Sequence, residues 1–482
     1  MPLRSHYMAF QTLFRELANR GHDVTVMNNF PDDKPVPNLR FIDLQANSYN
    51  RTAYTKHPLH SYEHVDSNIK RLGNVYGHTV TKMLGNDCEN LFINDNAKAH
   101  LAEGVKYDVI FVEQFISDCG LVYAAALYDA PIIGITSHTL MPWSYPRLGI
   151  SFDFAADAFY FSNAGPNPSI LHKVEAVLID TFLATFGRLR KQITISGVFG
   201  KYLPEYSLDV ERVAKERMKM MFAYQHFSVT GARVLPPQVL EIGGIHVGKP
   251  KPVTPDLEKF LSDATHGAVY VSFGSNLKAN TMSEHKLQQF LTAFKRLPYK
   301  FIWKYENATF TDDKIYTGSW FPQLDILCNI SETTHCGKPI LTVPFFGDQF
   351  SNSAAVRAVG LGRTLFFNLL NADNLEETIR ELASPEMQQN AQRISRLWHD
   401  RPQPVMDSAI YWTEYVARHA AAPPSLPAKH NTWFEGLLID VYIVILGIVF
   451  LLGLLAYAIF AFIKFIVKWI VSLFRKKKVK GE

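Results

Sequence analysis

The chain has 482 residues, of which 47% are hydrophobic and 13% aromatic, enough apolar material for two domains of ordinary size and a tail. The formal net charge is only +4 and is most concentrated in the last ten residues. This argues against a nucleic-acid partner, because a nucleic-acid-binding domain presents a basic face. The four cysteines show no CxxC spacing, so we expect buried free thiols and neither a zinc site nor a disulfide scaffold.

The first 30 residues predict a helix followed by a short buried strand at 23–27. Four apolar residues recur at helical spacing on one face, namely Phe10, Leu13, Phe14 and Leu17. Gly21 is placed to end this helix. A helix that feeds a parallel strand normally follows another strand, yet Met1 leaves no room for one and no apolar signal segment is encoded. We therefore expect the N-terminus to be truncated or mis-started.

A βαβ unit follows in the first half of the chain. Its elements are a buried strand at 108–113, a helix at 121–127 and a second strand at 131–135. The unit predicts a doubly wound α/β domain over residues 1–247. Residues 140–230 are aromatic and irregular, with a helix expected at 170–190. This region either shapes a ligand pocket or is an ordinary helical insertion, and the sequence leaves both open.

A linker at 248–255, with three prolines and two lysines, separates this domain from a second α/β set at 256–420. The second set contains strands at 268–272, 300–304 and 314–318 and helices at 284–297, 374–398 and 405–420. This order predicts an α/β protein with two doubly wound, Rossmann-like domains facing a cleft.

The C-terminal part of the chain predicts a membrane anchor. A proline-rich stalk at 421–440 precedes 441–463, which are 23 residues without a charge, long enough to cross a membrane. The basic tail at 464–482 is expected to be cytoplasmic and both domains lumenal. Lys478 and Lys480 are spaced like a dilysine retrieval signal of the endoplasmic reticulum, or simply flank the membrane. Three triplets are glycosylation acceptors if the chain is translocated, at Asn50, Asn307 and Asn329.

Residues 320–350 combine groups that suit a nucleotide-sugar. Trp320 offers a face on which a base can stack, and Gln323 can donate to and accept from a base edge. Glu332 can accept two hydroxyl protons, as a ribose requires. Asp348 and Gln349 follow a strand-like run at 340–343, where ligands of open α/β sheets bind.

In this order, the residues closely resemble the signature region of the animal UDP-glycosyltransferases, the UDP-glucuronosyltransferase-like family, and some insect members look nearest. The resemblance implies the GT-B type of fold and transfer of a hexosyl or glucuronosyl group from a UDP-sugar to small lipophilic acceptors, with inversion. It assigns uridine to Trp320, Gln323 and Glu332, and the sugar hydroxyls to Asp348 and Gln349. The UDP-sugar is a co-substrate, so no cofactor or metal is expected.

The resemblance also indicates phosphate-binding and catalytic residues. Ser275, in the Phe-Gly-Ser-Asn turn after the strand at 268–272, is expected near the donor phosphates. His6, at the start of the first helix, matches the catalytic histidine, since an imidazole titrates near neutrality and can take a proton from the acceptor. A carboxylate should orient it. Asp118 is slightly favoured for that role, and Glu113 is the alternative.

One interval departs from the family pattern. Between Gln323 and Glu332 the family has about a dozen further residues, room for a strand and a tight turn that cradles the pyrophosphate. We therefore expect the second domain to lack a central strand and the chain to have little or no transferase activity. The alternative function is a catalytically inactive homologue that binds lipophilic ligands, or that forms homo- or hetero-oligomers with active family members. Membrane lipid is a partner in either case.

Overall fold

The computed structural model describes residues 4–32, 34, 36–45, 57–63, 81–115, 117–155, 162, 164, 168–248, 252–274, 277–308, 310, 312–321, 330–345, 347–419 and 438–479. The chain divides into two compact units, Met1–Pro427 and Ala428–Glu482. The first unit contains both α/β domains.

The first domain has seven described strands and nine described helices. In chain order its elements are α1 (Arg4–Asn19), β1 (Val24–Asn28), β2 (Leu39–Asp43), β3 (His57–Pro58), α2 (Thr81–Ile93), α3 (Asp95–Ala102), β4 (Ile110–Glu113), α4 (Cys119–Leu127), β5 (Ile132–Thr136), α5 (Ser144–Arg147), α6 (Ile170–Phe182), α7 (Arg188–Tyr202), α8 (Val210–Arg217), β6 (Met218–Ala223), α9 (Phe227–Thr230) and β7 (Val239–Glu241). A short 3-10 helix (Leu59–Tyr62) follows β3, and a π-helical turn (Leu183–Gly187) joins α6 to α7.

Four strands of this domain form one parallel sheet in the order β4-β5-β6-β7. Every residue of β5 is buried, as expected for a central strand covered on both faces. The apolar face predicted for α1 packs on this sheet, with Phe10 and Leu13 against Ile133 and Phe222. The helix ends where Gly21 adopts a φ of +93°, a conformation that favours glycine.

The expectation of free cysteines is wrong. Cys88 of α2 and Cys119 of α4 form a disulfide, with Cα atoms 5.1 Å apart, and Cys336 is also disulfide-bonded. A separation of 31 residues hides such a pair from spacing arguments. The bridge joins α2 to α4 and lies in a small core against which Ile195 and Phe199 of α7 pack.

The second domain has six described strands. Its elements are α10 (Pro255–Ser262), β8 (Ala268–Val271), β9 (Leu277–Lys278), α11 (Glu284–Arg296), β10 (Lys300–Lys304), β11 (Ile315–Gly318), α12 (Ile330–Cys336), β12 (Ile340–Thr342), α13 (Gln349–Ala358), β13 (Gly362–Thr364), α14 (Ala372–Leu382), α15 (Pro385–His399) and α16 (Val405–Arg418). The single helix expected at 374–398 is two helices, because Ser384 caps a new helix that has Pro385 at its first position.

The sheet of the second domain is divided. One parallel sheet has the order β11-β10-β8 and a second contains only β12 and β13. Among the described residues, β8 pairs with β10 and with no strand on its other side. A shared core that includes Phe290, Phe294 and Trp303 still holds the domain together.

Two elements cross between the domains. The β3 strand pairs with β9, and the neighbouring Leu59 is fully buried in the core of the second domain. In the opposite direction, α16 returns to pack Ala409 and Ile410 into the core of the first domain. Chain order alone assigns α16 to the second domain, whereas its apolar face belongs to the first.

The second unit contains α17 (Ile439–Val479). Its stretch Ile439–Ile470, 32 residues long, is apolar and long enough to cross a membrane, and it is the one such helix among the described residues. This helix extends beyond both ends of the predicted 441–463 span.

Candidate active site

The centre of the site is His6, buried in the first turn of α1. Its Nδ1 hydrogen-bonds to the Oε1 of Glu113, the last residue of β4. A carboxylate can only accept, so Nδ1 is the donor and Nε2 keeps the lone pair that can take a proton. The imidazole is wedged between two rings, with centroids 4.7 Å from Phe115 and 4.6 Å from His138.

Glu113 is held as a carboxylate. Burial raises the pKa of Glu113, but the attraction and hydrogen bond of His6 outweigh burial and leave this pKa at about 2. The hydroxyl of Ser137 also donates to Glu113 Oε1 over 3.4 Å. An ionised partner at Nδ1 fixes the ring orientation and stabilises the imidazolium that forms when Nε2 is protonated.

Asp118, which the sequence analysis favoured as the partner of His6, lies in a different cluster. Asp118 is buried. It accepts hydrogen bonds from both terminal guanidinium nitrogens of Arg147 at 2.8 Å and from the ammonium of Lys191 at 2.9 Å. Burial raises the pKa of Asp118, but Arg147 and Lys191 lower it by more than burial raises it, so the carboxyl group stays ionised. The structure places Glu113 against His6 because Glu113 ends the strand, whereas Asp118 lies beyond the following loop and faces α5 and α7.

His138 is a site residue that the sequence analysis did not identify. Its ring stacks on Phe115 at 4.5 Å, and its Nδ1 lies 2.9 Å from Ser137 Oγ. Burial lowers the pKa of His138, while the negative charge of Asp348 opposes that shift. His138 follows β5 at the same sheet edge where Glu113 ends β4, so the strand-end rule could have found it.

An apolar cluster adjoins the His6 ring. Met141 and Ala176 are buried at its centre, and six further side chains pack around them, namely Phe115, Trp143, Phe152, Phe154, Ile179 and Leu183. The cluster draws on the aromatic segment that the sequence left as either a pocket or an insertion. Phe115 contacts both this cluster and the His6 ring, so the cluster lies directly beside the candidate base.

The described donor-side residues are more dispersed. Trp320 follows β11 with 70% of its surface exposed, which leaves its ring free to stack. Asp348 precedes α13, and its carboxylate accepts a hydrogen bond from the side-chain amide of Asn352 at 2.9 Å. The side-chain oxygen of Gln349 accepts a hydrogen bond from the backbone N–H of Phe345 at 2.8 Å. The negative charge of Asp348 raises the pKa of His138, so this end of the second domain lies near the His6 site.

Several predicted residues lie outside what the structure describes. These are Ser275, Gln323, Asn50 and Asn329, together with the side chain of Glu332, whose backbone belongs to α12. Asn307 lies in the turn after β10 with a φ of +51°. Within the described residues no group of His, Cys, Asp and Glu could hold a metal ion. The clearest surface cavity lies apart from this site, beside α10 and β10, and no predicted site residue lines it.

Lys304 is a second residue that the sequence analysis missed. It ends β10 and donates its ammonium to the carbonyl of Gly274, in the glycine turn after β8. Gly274 has a φ of +80°, which only glycine adopts without strain. Burial lowers the pKa of Lys304. The carboxyl ends of β8 and β10 therefore present a cation beside the turn where phosphate was expected.

Known proteins resemble this chain over most of its length. UDP-glucosyltransferase 2 of Dactylopius coccus is 30% identical over 461 residues, covering 91% of this chain and 86% of that protein. Human UDP-glucuronosyltransferase 2B10 is 24% identical over 487 residues, covering 91% of this chain and 87% of that protein.

Solved structures show the same fold. The glycotransferase of kitacinnamycin matches 86% of this chain and 96% of its own, with a TM-score of 0.54 and 16% identity. CalG4, the calicheamicin glycosyltransferase, matches 87% and 97%, with a TM-score of 0.51 and 17% identity. Both are glycosyltransferases of the GT-B fold. The family model "UDP-glucoronosyl and UDP-glucosyl transferase" matches residues 2–480, and the chain therefore belongs to the UDP-glycosyltransferase family.

Proposed function

We propose that this protein transfers a hexosyl or glucuronosyl group from a UDP-sugar to small lipophilic acceptors with inversion, and that His6 is the base. The observation that carries the proposal is the buried His6–Glu113 pair, whose imidazole contacts Phe115 of the apolar cluster. His6 Nε2 takes the proton of the acceptor hydroxyl as that oxygen attacks the anomeric carbon. The bond from this carbon to the phosphate oxygen breaks, and UDP leaves with the bonding electrons.

The donor contacts are assigned to the second domain. Trp320 stacks on uracil with Gln323 at the base edge, Glu332 takes the ribose, and Asp348 and Gln349 take the sugar hydroxyls. Ser275 and Lys304 support the pyrophosphate, and the ammonium of Lys304 supplies a charge there.

The acceptor would occupy the aromatic cluster around Met141. Apolar side chains there exclude water and bind lipophilic rings, while His6 supplies the polar group that orients the hydroxyl. The cluster gives no basis for naming one acceptor, so the proposal extends to the class of small lipophilic alcohols and phenols.

The placement in the cell is also a proposal. The apolar helix α17 anchors the chain in the endoplasmic reticulum membrane as a single pass, with the basic tail cytoplasmic and the catalytic domains lumenal. The Cys88–Cys119 disulfide supports the lumenal side, because disulfides persist in oxidising compartments. Glycosylation at Asn50, Asn307 or Asn329 is part of the same proposal, because these acceptors would lie on the lumenal side.

A second function is favoured by the divided sheet of the second domain. A homologue that binds lipophilic ligands, or partners active family members, would keep the first domain and tolerate an incomplete pyrophosphate site. The short Gln323–Glu332 interval and the division of the described strands of the second domain into two small sheets support this alternative.

The test compares the His6→Ala and Trp320→Ala variants with two parents, namely the full chain and a repaired chain that carries a relative's strand and turn between Cys328 and Asn329, and activity is compared in the repaired chain if the full chain shows little turnover. Product mass spectrometry with UDP-glucose and UDP-glucuronate measures transfer, and quenching of tryptophan fluorescence measures UDP binding. We expect His6→Ala to abolish transfer with UDP-sugar affinity unchanged, because the base acts on the acceptor. Trp320→Ala should weaken UDP binding by about 1–3 kcal/mol. Equal loss of donor affinity in His6→Ala would contradict the assigned role, and ligand binding without any turnover by the native chain would favour the second function.

A further inference from the structure

The longest helical insertion of the first domain has an apolar outer face. Six side chains of α6, the π-turn and α7 recur at helical spacing and are 51–77% exposed, namely Leu171, Leu178, Phe182, Phe186, Leu189 and Ile193. We call them the outer apolar face. Ile170, Val174 and Val177 of α6 are also exposed, and the remaining exposed large apolar side chains among the described residues of Met1–Pro427 are spread along the chain, such as Val234 and Leu369. A continuous apolar face of this kind marks an interaction surface.

The inner face of the same helices is apolar as well. Ala176 and Ile179 of α6 pack in the cluster beside His6, and Ile195 and Phe199 of α7 pack near the disulfide. Both helices also carry charged side chains, so their exposed apolar residues form a stripe between polar ones. The protein core covers only the inner side, and an apolar stripe of this length favours a second apolar phase or partner on the outer side.

Charge and tethering favour lipid as that second phase. Between Ser169 and Tyr202 there are five lysines and arginines against two carboxylates. Lys191 pairs with the buried Asp118 and Lys201 with Glu89, whereas other cations of this stretch, such as Lys173 and Arg190, suit a surface of anionic headgroups. Arg188 and Arg190 flank Leu189 of the outer apolar face. Only 18 residues separate His419 from Leu438, and they span at most about 65 Å, so an anchor at α17 keeps this unit close to a bilayer.

We propose that the outer apolar face of α6 and α7 lies in the interfacial layer of the bilayer and that acceptors dissolved in lipid reach His6 past this helix pair. A helix with its side chains is about 10 Å across, so lipid on the outer face would lie one helix diameter from the apolar cluster. The inference rests on the proposed membrane anchoring and lipophilic acceptors, and it adds a second, peripheral contact with the membrane.

Photo-crosslinking of the full chain tests the contact without requiring turnover. The chain carries p-benzoylphenylalanine in place of Phe182 or Phe186 and is reconstituted in vesicles of phosphatidylcholine and phosphatidylinositol. Matched controls carry it in place of Val234 or Leu369, which are exposed apolar positions outside the helix pair. We expect lipid adducts at Phe182 and Phe186, detected by mass spectrometry, and several-fold fewer at the controls.

Two outcomes would overturn the inference. Adducts that join two copies of the chain would show that the face binds a second protomer, and adduct levels equal to those of the controls would show that it contacts no lipid. Extraction with alkaline carbonate reports separately on anchoring by α17. Retention of the chain with no adducts at Phe186 would refute this contact alone, and loss of the chain from the membrane would refute the proposed anchoring.

A kinetic arm examines the delivery of the acceptor. In Leu178→Glu/Phe186→Glu, both substitutions are at exposed positions, so the fold should persist, as circular dichroism can verify. We expect a several-fold rise in KM for an acceptor that partitions into lipid, with no change for a water-soluble analogue or for the control Leu369→Glu. An equal rise for both acceptors would show damage to the site and contradict delivery through lipid.

Discussion

The two α/β domains differ in the size and burial of their parallel sheets. In the first, β4 to β7 form one four-stranded parallel sheet beside a separate pair of β1 and β2, the central β5 is buried along its whole length, and His6 and Glu113 are paired at the sheet edge. In the second, the larger sheet of described strands has only three strands, and its strand β8 is only partly buried. A parallel sheet normally has both faces covered and its inner strands paired on both sides.

The proposed base His6, its partner Glu113 and the apolar cluster are all assembled in the first domain, from the ends of α1, β4 and β5 and from the helical insertion. The donor residues of the second domain lie on separate elements around the divided sheet. We therefore expect variants of the first domain to report on catalysis and stability, and repair of the second to restore the reaction.

Repair of the second domain should have the largest effect. Insertion of a relative's strand and turn between Cys328 and Asn329 should raise turnover by at least about 10³-fold, because it restores electrostatic support for the pyrophosphate. Product mass spectrometry measures turnover, and hydrogen exchange of the β8 amides should slow as the strand gains a neighbour. A glycine-serine insertion of equal length is the control. Robust turnover by the native chain would show that the short interval is compatible with catalysis.

The next largest effect is expected in the buried ion cluster of the first domain. Asp118→Asn removes the charge that pairs with Arg147 and Lys191, and should cost about 3 kcal/mol of unfolding free energy. Because the pKa of Asp118 is lowered by folding, this stabilisation is complete above the unfolded pKa of about 4 and declines gradually as pH falls from there towards the lower folded-state pKa. Denaturant unfolding at pH 7 and pH 3 should therefore show a smaller difference between the two proteins at pH 3. Asp373→Asn, in an exposed pair, should change stability by less than about 0.5 kcal/mol. A change of equal size in the two variants would contradict this assignment.

Substitution of each candidate carboxylate tests whether Glu113 or Asp118 is the partner of His6. In the repaired chain, Glu113→Gln should lower kcat by about 10²-fold, since the imidazolium loses its counter-charge while the donor site is untouched. Steady-state kinetics and UDP affinity are the measurements, and Glu103→Gln, on the surface, is the control. A larger kcat loss in a folded Asp118→Asn than in Glu113→Gln would restore Asp118 as the partner of His6.

The smallest effect concerns the inner side of the helical insertion. Burial raises the pKa of Asp180 in α6 to about 6, so ionisation of this group opposes folding as pH rises from about 4 to 6. Asp180→Asn should therefore stabilise the protein at pH 7.5 by about 1 kcal/mol, a value reduced for partial exposure, and have no effect at pH 3.5. Thermal unfolding at the two pH values is the measurement. Stabilisation of equal size at both would indicate a packing effect with no role for the carboxyl group.

Short-range patterns were sufficient for much of this protein. The apolar period of α1, the βαβ unit through β4 and β5, the apolar helix α17 and the signature residues around Trp320 are all local features, and they led to the two-domain GT-B fold and the family. Each depends on spacing within a few turns of helix or one strand, which a sequence displays directly.

Contacts between distant segments were decided by the tertiary structure alone. Glu113 and Asp118 are five residues apart, yet the path of the intervening loop sends one to His6 and the other to Arg147. Cys88 and Cys119 meet because α2 and α4 pack together, and α16 fills the core of the first domain although it follows the second in the chain. Such pairings depend on how buried surfaces fit in three dimensions, and the spacing of residues along one chain carries no record of that fit.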